Sequence, residues 1–383
     1  MGWFRRSKKI EQPQYSNNPN DLEYPLMAFS SADVWRLRDA CEGTQIFGGI
    51  GSGKTSGSGQ NIAKAFLRAG YGGLVLTAKT DECALWKKYC QETGREDSLV
   101  IFSPEERWRF NFLDYELRRP GRGTGYTENL VNLFYQVLEN ADNNSAKEGS
   151  SDPFWERTLK QLLRNSIELV RFGTGRMSLD DIYVVIQSAP LCFEETLSAK
   201  WQTESFCFQC IAEGEKREKS PSEERDFELT ARFWMREFPT LADKTRSVVV
   251  SSFTSMADCF LRGVLNDLFC NKTNIVPELT HGGAVLVLDL PIKEFDTIGR
   301  YAQVLFKLIW QKAAERREKT KNLRPIFLWA DEAHNFVVSS DVGFQTTARD
   351  CRVCTVYLTQ NLPNYQMVLD GTKGRAQVDS LMG

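Results

Sequence analysis

Gly48-Gly49-Ile50-Gly51-Ser52-Gly53-Lys54-Thr55 restricts what this chain can fold into more than any other stretch. It fits the pattern G-x-x-x-x-G-K-[ST], and its flanks fit as well. Thr44-Gln45-Ile46-Phe47 reads as a short buried strand, and Asn61–Leu67 as an amphipathic helix with Ile62, Ala65 and Phe66 on one face. A phosphate chain must lie against bare backbone N–H groups, which Cβ atoms would block, so the pattern needs glycine. The next helix points its positive end at the same anion. Gly48, Gly49, Gly51, Ser52, Gly53, Lys54 and Thr55 are thus the expected nucleotide cradle. Lys54 would reach the β/γ-phosphates and Thr55 would hold Mg²⁺, which makes ATP and Mg²⁺ the expected cofactors.

A second half of such a site stands far downstream. Pro325–Ala330 is wholly apolar and ends in Asp331-Glu332, so a strand inside a sheet would deliver two carboxylates beside the phosphate loop. Asp331 is the expected metal residue and Glu332 the group that polarises the attacking water. Thr359-Gln360 ends the next apolar strand, where a neutral amide can bond the γ-phosphate without competing for the metal. His334, one of two histidines, reads as a packing or interface residue.

Composition narrows the class. The 383 residues carry a net charge of −2, so global charge points to no polyanion partner and a nucleic-acid surface would have to be local. Arg118–Arg122 and Arg316–Lys319 are two basic clusters that could form one, and both read first as solvated surface. No apolar run approaches the roughly 20 residues that span a bilayer, and the start lacks a signal-peptide core. A cytoplasmic place is expected, with the inner face of a bacterial membrane as a peripheral alternative. Ten cysteines without an export signal suit a reducing compartment, and the two CxxC pairs, Cys207/Cys210 and Cys351/Cys354, are too far apart for a zinc ribbon.

Along the chain, residues 1–28 are polar and expected to lack order, and Ala32–Arg38 carries helical signals. Residues 29–125 alternate strand and helix, with strands at Gly72–Thr77 and Leu99–Phe102, which argues for a parallel α/β sheet. Residues 126–258 read as an all-α insertion, interrupted by two polar runs, Glu139–Asp152 and Glu213–Arg225, expected to be exposed loops. Strand signals resume in 259–383, at Ala284–Leu290, Pro325–Ala330 and Val353–Leu358, with a long helix from Thr297 to Glu315.

With these residues in place the chain resembles the type IV secretion coupling ATPases, the TraG/TraD-like conjugation proteins, within the FtsK/HerA class of hexameric translocases. Thr77–Glu82 is similar to the lysine-bearing segment after that family's second strand. Val100–Pro104, Asn111–Leu113, Asp152–Glu156 and Thr245–Phe260 resemble further family stretches, and Asp331–Phe336 looks more like the HerA branch. The resemblance implies a RecA-like P-loop NTPase fold and ATP-driven movement of DNA, with a bound relaxase, toward a secretion channel. It also implies a homo-hexamer with ATP between subunits, where a neighbour's arginine serves the site; Arg349 and Arg352 are the candidates. The family's N-terminal membrane helices have no counterpart here, and its core strands continue beyond the point where 259–383 ends, so either a fragment or a shortened member is expected. Two alternatives stay open: a motor whose cargo is protein, and a nucleotide-binding assembly module without motor activity.

Overall fold

The computed structural model describes residues 15–49, 51–142, 153–318, 320, 323–369 and 374–382. Residues 1–14, most of the first polar run (143–152) and Lys319 lie outside it. Six strands form one wholly parallel sheet. In chain order they are β3 (Thr44–Phe47), β4 (Gly72–Leu76), β5 (Leu99–Phe102), β6 (Val285–Leu288), β7 (Ile326–Ala330) and β8 (Val353–Thr359). Their spatial order is β3-β8-β7-β4-β6-β5. A separate antiparallel pair, β1 (Pro25–Ala28) with β2 (Val34–Arg36), precedes them.

The sheet is covered on both faces, which explains why its central strands are apolar throughout rather than alternating. Successive side chains point to opposite faces. Val75, Val287, Phe327, Trp329, Val356 and Leu358 face the helices Gln60–Arg68 and Glu82–Thr93. Leu74, Leu76, Leu286, Leu288, Leu328 and Ala330 face the helix Ile292–Glu315 and the helical part of the chain. An aromatic stack locks the first face: Phe327 lies 5.5 Å from Phe66 and 5.6 Å from Trp86. Gly73 makes room for it, because a Cβ there would sit within 2.5 Å of the Phe327 ring.

β3 differs from expectation in burial. Among the described residues it has one neighbour, β8, so its residues are half-buried and Phe47 is exposed. Ala32–Arg38 is also not helical at its start. Trp35 pairs with Met27 in the β1–β2 ribbon, and one helical turn comes next at Leu37–Ala40. Pro25–Ala28, inside the stretch expected to lack order, supplies the partner that overrides the helical signal.

Between β5 and β6 the described residues are helical and contain no strand. Helix Pro153–Thr174 is central there; it buries Leu162, Leu163, Ile167 and Val170 against Phe206–Lys216 and its neighbours. The second charged run is not a loop. Glu213–Lys216 ends one helix and Pro221–Arg225 begins another, because Ser220 and Glu223 form a reciprocal capping box with proline at the first turn. The charges lie on exposed helix faces, a pattern that charge density alone does not separate from a linker. In the first run, 139–142 completes the helix Thr127–Asp142. Among the described residues, no single helix is long and apolar enough to cross a membrane, and no cluster of three or more His, Cys, Asp or Glu could hold a metal ion. Cys207, Cys210, Cys351 and Cys354 are all buried, packing as small hydrophobes.

Candidate nucleotide site

Open parallel sheets place their sites at the carboxyl ends of the strands, and four such ends meet here. The register sets them level: Phe47 pairs with Thr359, Ala330 with Tyr357, and Leu76 with Ala330. Each strand gives way at once to a polar segment, at Gly48, Gln360, Asp331 and Thr77.

The glycine loop leaves β3 with Gly48 N–H still bonded to the Thr359 carbonyl at 3.2 Å. Gly51 and Gly53 hold φ of 73° and 79°, the left-handed region that glycine enters without strain. Gly48 has its own reason: a Cβ there would stand 2.3 Å from Ser52 Oγ. The chain then turns through a wide π-type turn, Thr55–Gly59, into the helix Gln60–Arg68, which buries Ile62, Ala63, Ala65, Phe66 and Leu67. Each of the larger side chains contributes about 1.5–3 kcal/mol by burial, and together they press the loop against the end of the sheet.

Two distant segments close on one another at this point. Thr55 Oγ1 donates to Asp331 Oδ2 at 2.8 Å, and Lys54 Nζ lies 3.3 Å from Glu332 Oε1. Asp331 is almost wholly buried, and its Oδ1 accepts the Glu332 N–H at 2.9 Å. Glu332 stands in the left-handed region, φ 48° and ψ 48°, a strained conformation for a side chain with Cβ. Its Oε2 is buried without a hydrogen-bond partner. A buried carboxylate oxygen left open is costly unless something binds there, so it marks a place for a ligand.

Lys79 completes the centre. Leaving β4, it donates to Asp331 Oδ2 at 3.0 Å and lies 3.6 Å from Glu332 Oε1. Burial pulls its pKa down, but the Asp331 hydrogen bond and the acidic charges outweigh that and the net direction is up. Glu82 packs below: Ala78 N–H donates to its Oε2 at 2.8 Å, and Oε1 has no partner. Burial first, then the Asp331 charge, pushes its pKa up to about 8. His334 joins β7 to β8, with Nδ1 3.2 Å from Thr359 Oγ1 and 3.8 Å from Glu332 Oε2. Burial lowers its pKa, so the ring is neutral near pH 7.

Gln360 comes directly after β8, half-buried, beside the Gly48 crossing. Arg349 is not brought to this centre. It precedes β8, at the opposite end of the sheet, and pairs there with Glu42 at 3.3 Å, both half exposed. Arg352 is also at that end and donates to the Asn20 and Leu323 carbonyls. The two basic clusters are spent internally in part: Arg119 pairs with Glu116 in the interior, Arg316 donates to Tyr115 Oη, and Arg317 to the Cys351 carbonyl.

Sequence reasoning placed Lys79 in a motif but gave it no role. The signal lay in strand adjacency: β4 and β7 are neighbours, so the segment leaving Leu76 must face the segment leaving Ala330. Which strands are adjacent is not written in periodicity.

The set fits a magnesium-bound nucleoside triphosphate. A left-handed glycine turn offers backbone N–H groups, one ammonium adjoins it, and a hydroxyl and a carboxylate converge as hard oxygen ligands of the kind Mg²⁺ takes.

No family model and no curated protein sequence matches this chain. Solved structures do. The bacterial conjugative coupling protein TrwBdeltaN70, in its unbound monoclinic form, aligns with a TM-score of 0.60 at 13% identity over 94% of this chain and 71% of that one. TrwB in complex with a non-hydrolysable ATP analogue aligns at 0.56, with 14% identity over 90% and 69%. TrwB in complex with ADP and Mg²⁺ aligns at 0.59, with 14% identity over 94% and 72%. The chain therefore has the RecA-like α/β fold seen in the conjugative coupling protein TrwB.

Proposed function

We propose that this chain is a magnesium-dependent ATPase of the conjugative coupling type, which moves DNA with its bound relaxase toward a type IV secretion channel. The observation that carries the ATPase part is the meeting of Lys54 and Thr55 with Glu332 and Asp331, two segments that no local folding would join. The fold shared with TrwB, solved with an ATP analogue and with ADP and Mg²⁺, supports the same reading.

Bound Mg²⁺ would supply Lewis-acid stabilisation of charge on the phosphoryl oxygens. The backbone N–H groups of Gly49, Gly51 and Gly53 would orient the phosphates, while those of Gly48 and Ser52 hold the loop through the Thr359 and Gly49 carbonyls. Lys54 exchanges its Glu332 contact for the β/γ-phosphates, which frees Glu332 to take a proton from water. Thr55 and Asp331 would hold the metal. Gln360 reaches the γ-phosphate from β8. Arg349 lies too far around the sheet to serve its own site; in the homo-hexamer that the coupling resemblance implies, it would serve the site of a neighbouring copy. DNA and the inner face of the membrane enter through the coupling reading alone.

Phosphate release by the purified chain, with and without single- and double-stranded DNA and beside a sizing measurement, tests this. Turnover that DNA stimulates and Glu332→Gln abolishes is expected. Turnover indifferent to DNA would favour a protein cargo, and a silent chain would favour a nucleotide-binding assembly module.

A further inference from the structure

The helix Ile292–Glu315 carries Gln303, Lys307 and Gln311 one turn apart, and all three are buried in an otherwise apolar stripe. Burying an ammonium is unfavourable unless it is paired and hydrogen-bonded. Lys307 Nζ donates to Asp341 Oδ2 at 2.5 Å and to the Phe336 carbonyl at 2.7 Å. Asp341 also accepts from Gln311 Nε2 at 2.6 Å and from Val338 N–H at 2.8 Å. The network therefore ends on backbone groups of Phe336 and Val338, shortly after Glu332. One turn earlier, Gln303 Oε1 takes the Thr77 N–H at 2.6 Å. Its Nε2 donates to the Thr77 carbonyl at 2.9 Å and the Leu290 carbonyl at 2.8 Å. A single helix thus grips both lips of the acidic centre, the one bearing Lys79 and the one bearing Glu332.

We propose that the interior Lys307–Asp341 pair is a positioning device for hydrolysis: it clamps the Ala333–Val338 segment so that Glu332 keeps its left-handed backbone and its carboxylate stays at the phosphate site. This rests on the ATPase reading above. Glu332 needs such a clamp, because a residue with Cβ relaxes out of φ 48° unless its surroundings over-determine it. The turn Ala333–Asn335 is held at its near end by Asn335 Nδ2 to the Glu332 carbonyl and by His334 to Thr359. The Lys307–Asp341 network supplies the hold at its far end. An apolar pair would fill the same space but would leave the direction of the Phe336 carbonyl and the Val338 N–H unspecified, along with the turn between them.

The test is the double variant Lys307→Met with Asp341→Leu in the full chain, which removes both charges together and strands neither. Steady-state ATP hydrolysis, affinity for a fluorescent ADP analogue with Mg²⁺, and thermal unfolding are measured. The kcat is expected to fall by about tenfold or more, the scale of supporting-residue effects, with nucleotide affinity near wild type; melting is expected to fall as well, because Gln311 Nε2, the Phe336 carbonyl and the Val338 N–H lose these partners. Adding Glu332→Gln to the double variant should then cost far less than it does in wild type, a coupling that a merely structural role would not produce. Wild-type kcat in the folded double variant overturns the proposal, as does a full additive loss with Glu332→Gln. If the double variant does not fold, Gln311→Leu decides: lowered kcat at unchanged affinity supports the clamp, and unchanged kcat overturns it. A silent wild type sinks the ATPase reading and this inference with it, whereas an active wild type with an equally active double variant sinks this inference alone.

Discussion

Thr55 Oγ1 donates a 2.8 Å hydrogen bond to Asp331 Oδ2 across 276 positions of sequence, and the same carboxylate oxygen accepts from Lys79 Nζ. In the proposed site, Thr55 and Asp331 would hold a divalent cation and Lys79 would give up its contact with this oxygen. We expect Asp331→Asn to lower Mg²⁺-dependent hydrolysis by about 10²–10³-fold, the scale of losing a preorganised charge-stabilising group. Thr55→Ala should act in the same direction, more weakly. Titrating nucleotide affinity against Mg²⁺ checks both; affinity in EDTA should change little in either variant.

Lys79 neutralises two acids that otherwise repel, so in the proposed site it and a metal would compete for the same place. Lys79→Met should therefore destabilise the metal-free chain modestly, since this lysine is more than a third exposed and solvent screens its pairing. The same variant should gain more in Tm on adding Mg²⁺ than wild type does. A Tm gain from Mg²⁺ equal to that of wild type would show that Lys79 does not share the metal's place.

Glu82 adds a pH dependence of stability with a definite sign. Its folded pKa is pushed up to about 8 from an ordinary 4.5, by burial first and by Asp331 second. The folded state holds this proton more tightly than the unfolded chain, so the contribution is full below pH 4.5 and is lost as pH rises through about 8. Melting temperature should decline across that window. Glu82→Gln, a neutral mimic of the protonated acid, should flatten the decline and be at least as stable as wild type above pH 8, read by thermal unfolding at fixed ionic strength.

How much of the molecule was legible in its sequence depended on whether the signal is local. Apolar runs closed by turn residues located β4 to β8, because a strand covered on both faces must be apolar whatever its neighbours are, whereas β3 was located by the glycine loop that follows it. The order β3-β8-β7-β4-β6-β5 was not legible, since it depends on which helices pack where. The position of Lys79 derives from that order, since the adjacency of β4 and β7 lands this motif lysine on the acidic centre; Arg349, near Gln360 in sequence, lands at the far end of the sheet because β8 lies between them. The ribbon partner of Trp35 and the Ser220–Glu223 cap overrode local expectations in the same way, through contacts that composition does not carry. The buried stripe Gln303–Lys307–Gln311 was present in the sequence as a four-residue spacing, but an amphipathic helix shows such spacing on its wet face too. Only the covering segment around Asp341 turns it inward.

Gly59 links the glycine loop to the sheet through distance alone. A Cβ at this position would meet the Lys54 carbonyl at 2.9 Å, Leu358 Cδ2 at 3.1 Å and Trp329 Cζ2 at 3.4 Å. The first contact is backbone of the very residue whose ammonium faces Glu332, and the other two belong to the strands flanking the site. Relief must therefore come from moving the start of the Gln60–Arg68 helix away from β7 and β8, which carries Lys54 and Thr55 with it. Gly59→Ala gains helix propensity in principle, yet the overpacking should outweigh this and lower stability by about 1–3 kcal/mol. Because the displacement falls on the loop, nucleotide affinity should weaken beyond what the stability loss explains. Gly57→Ala, where a Cβ meets nothing within 4 Å, is the matched control and should bind nucleotide as wild type does. Equal affinities for the two variants, measured with the same fluorescent ADP analogue, would show that the close approach of helix to sheet does not set the position of Lys54.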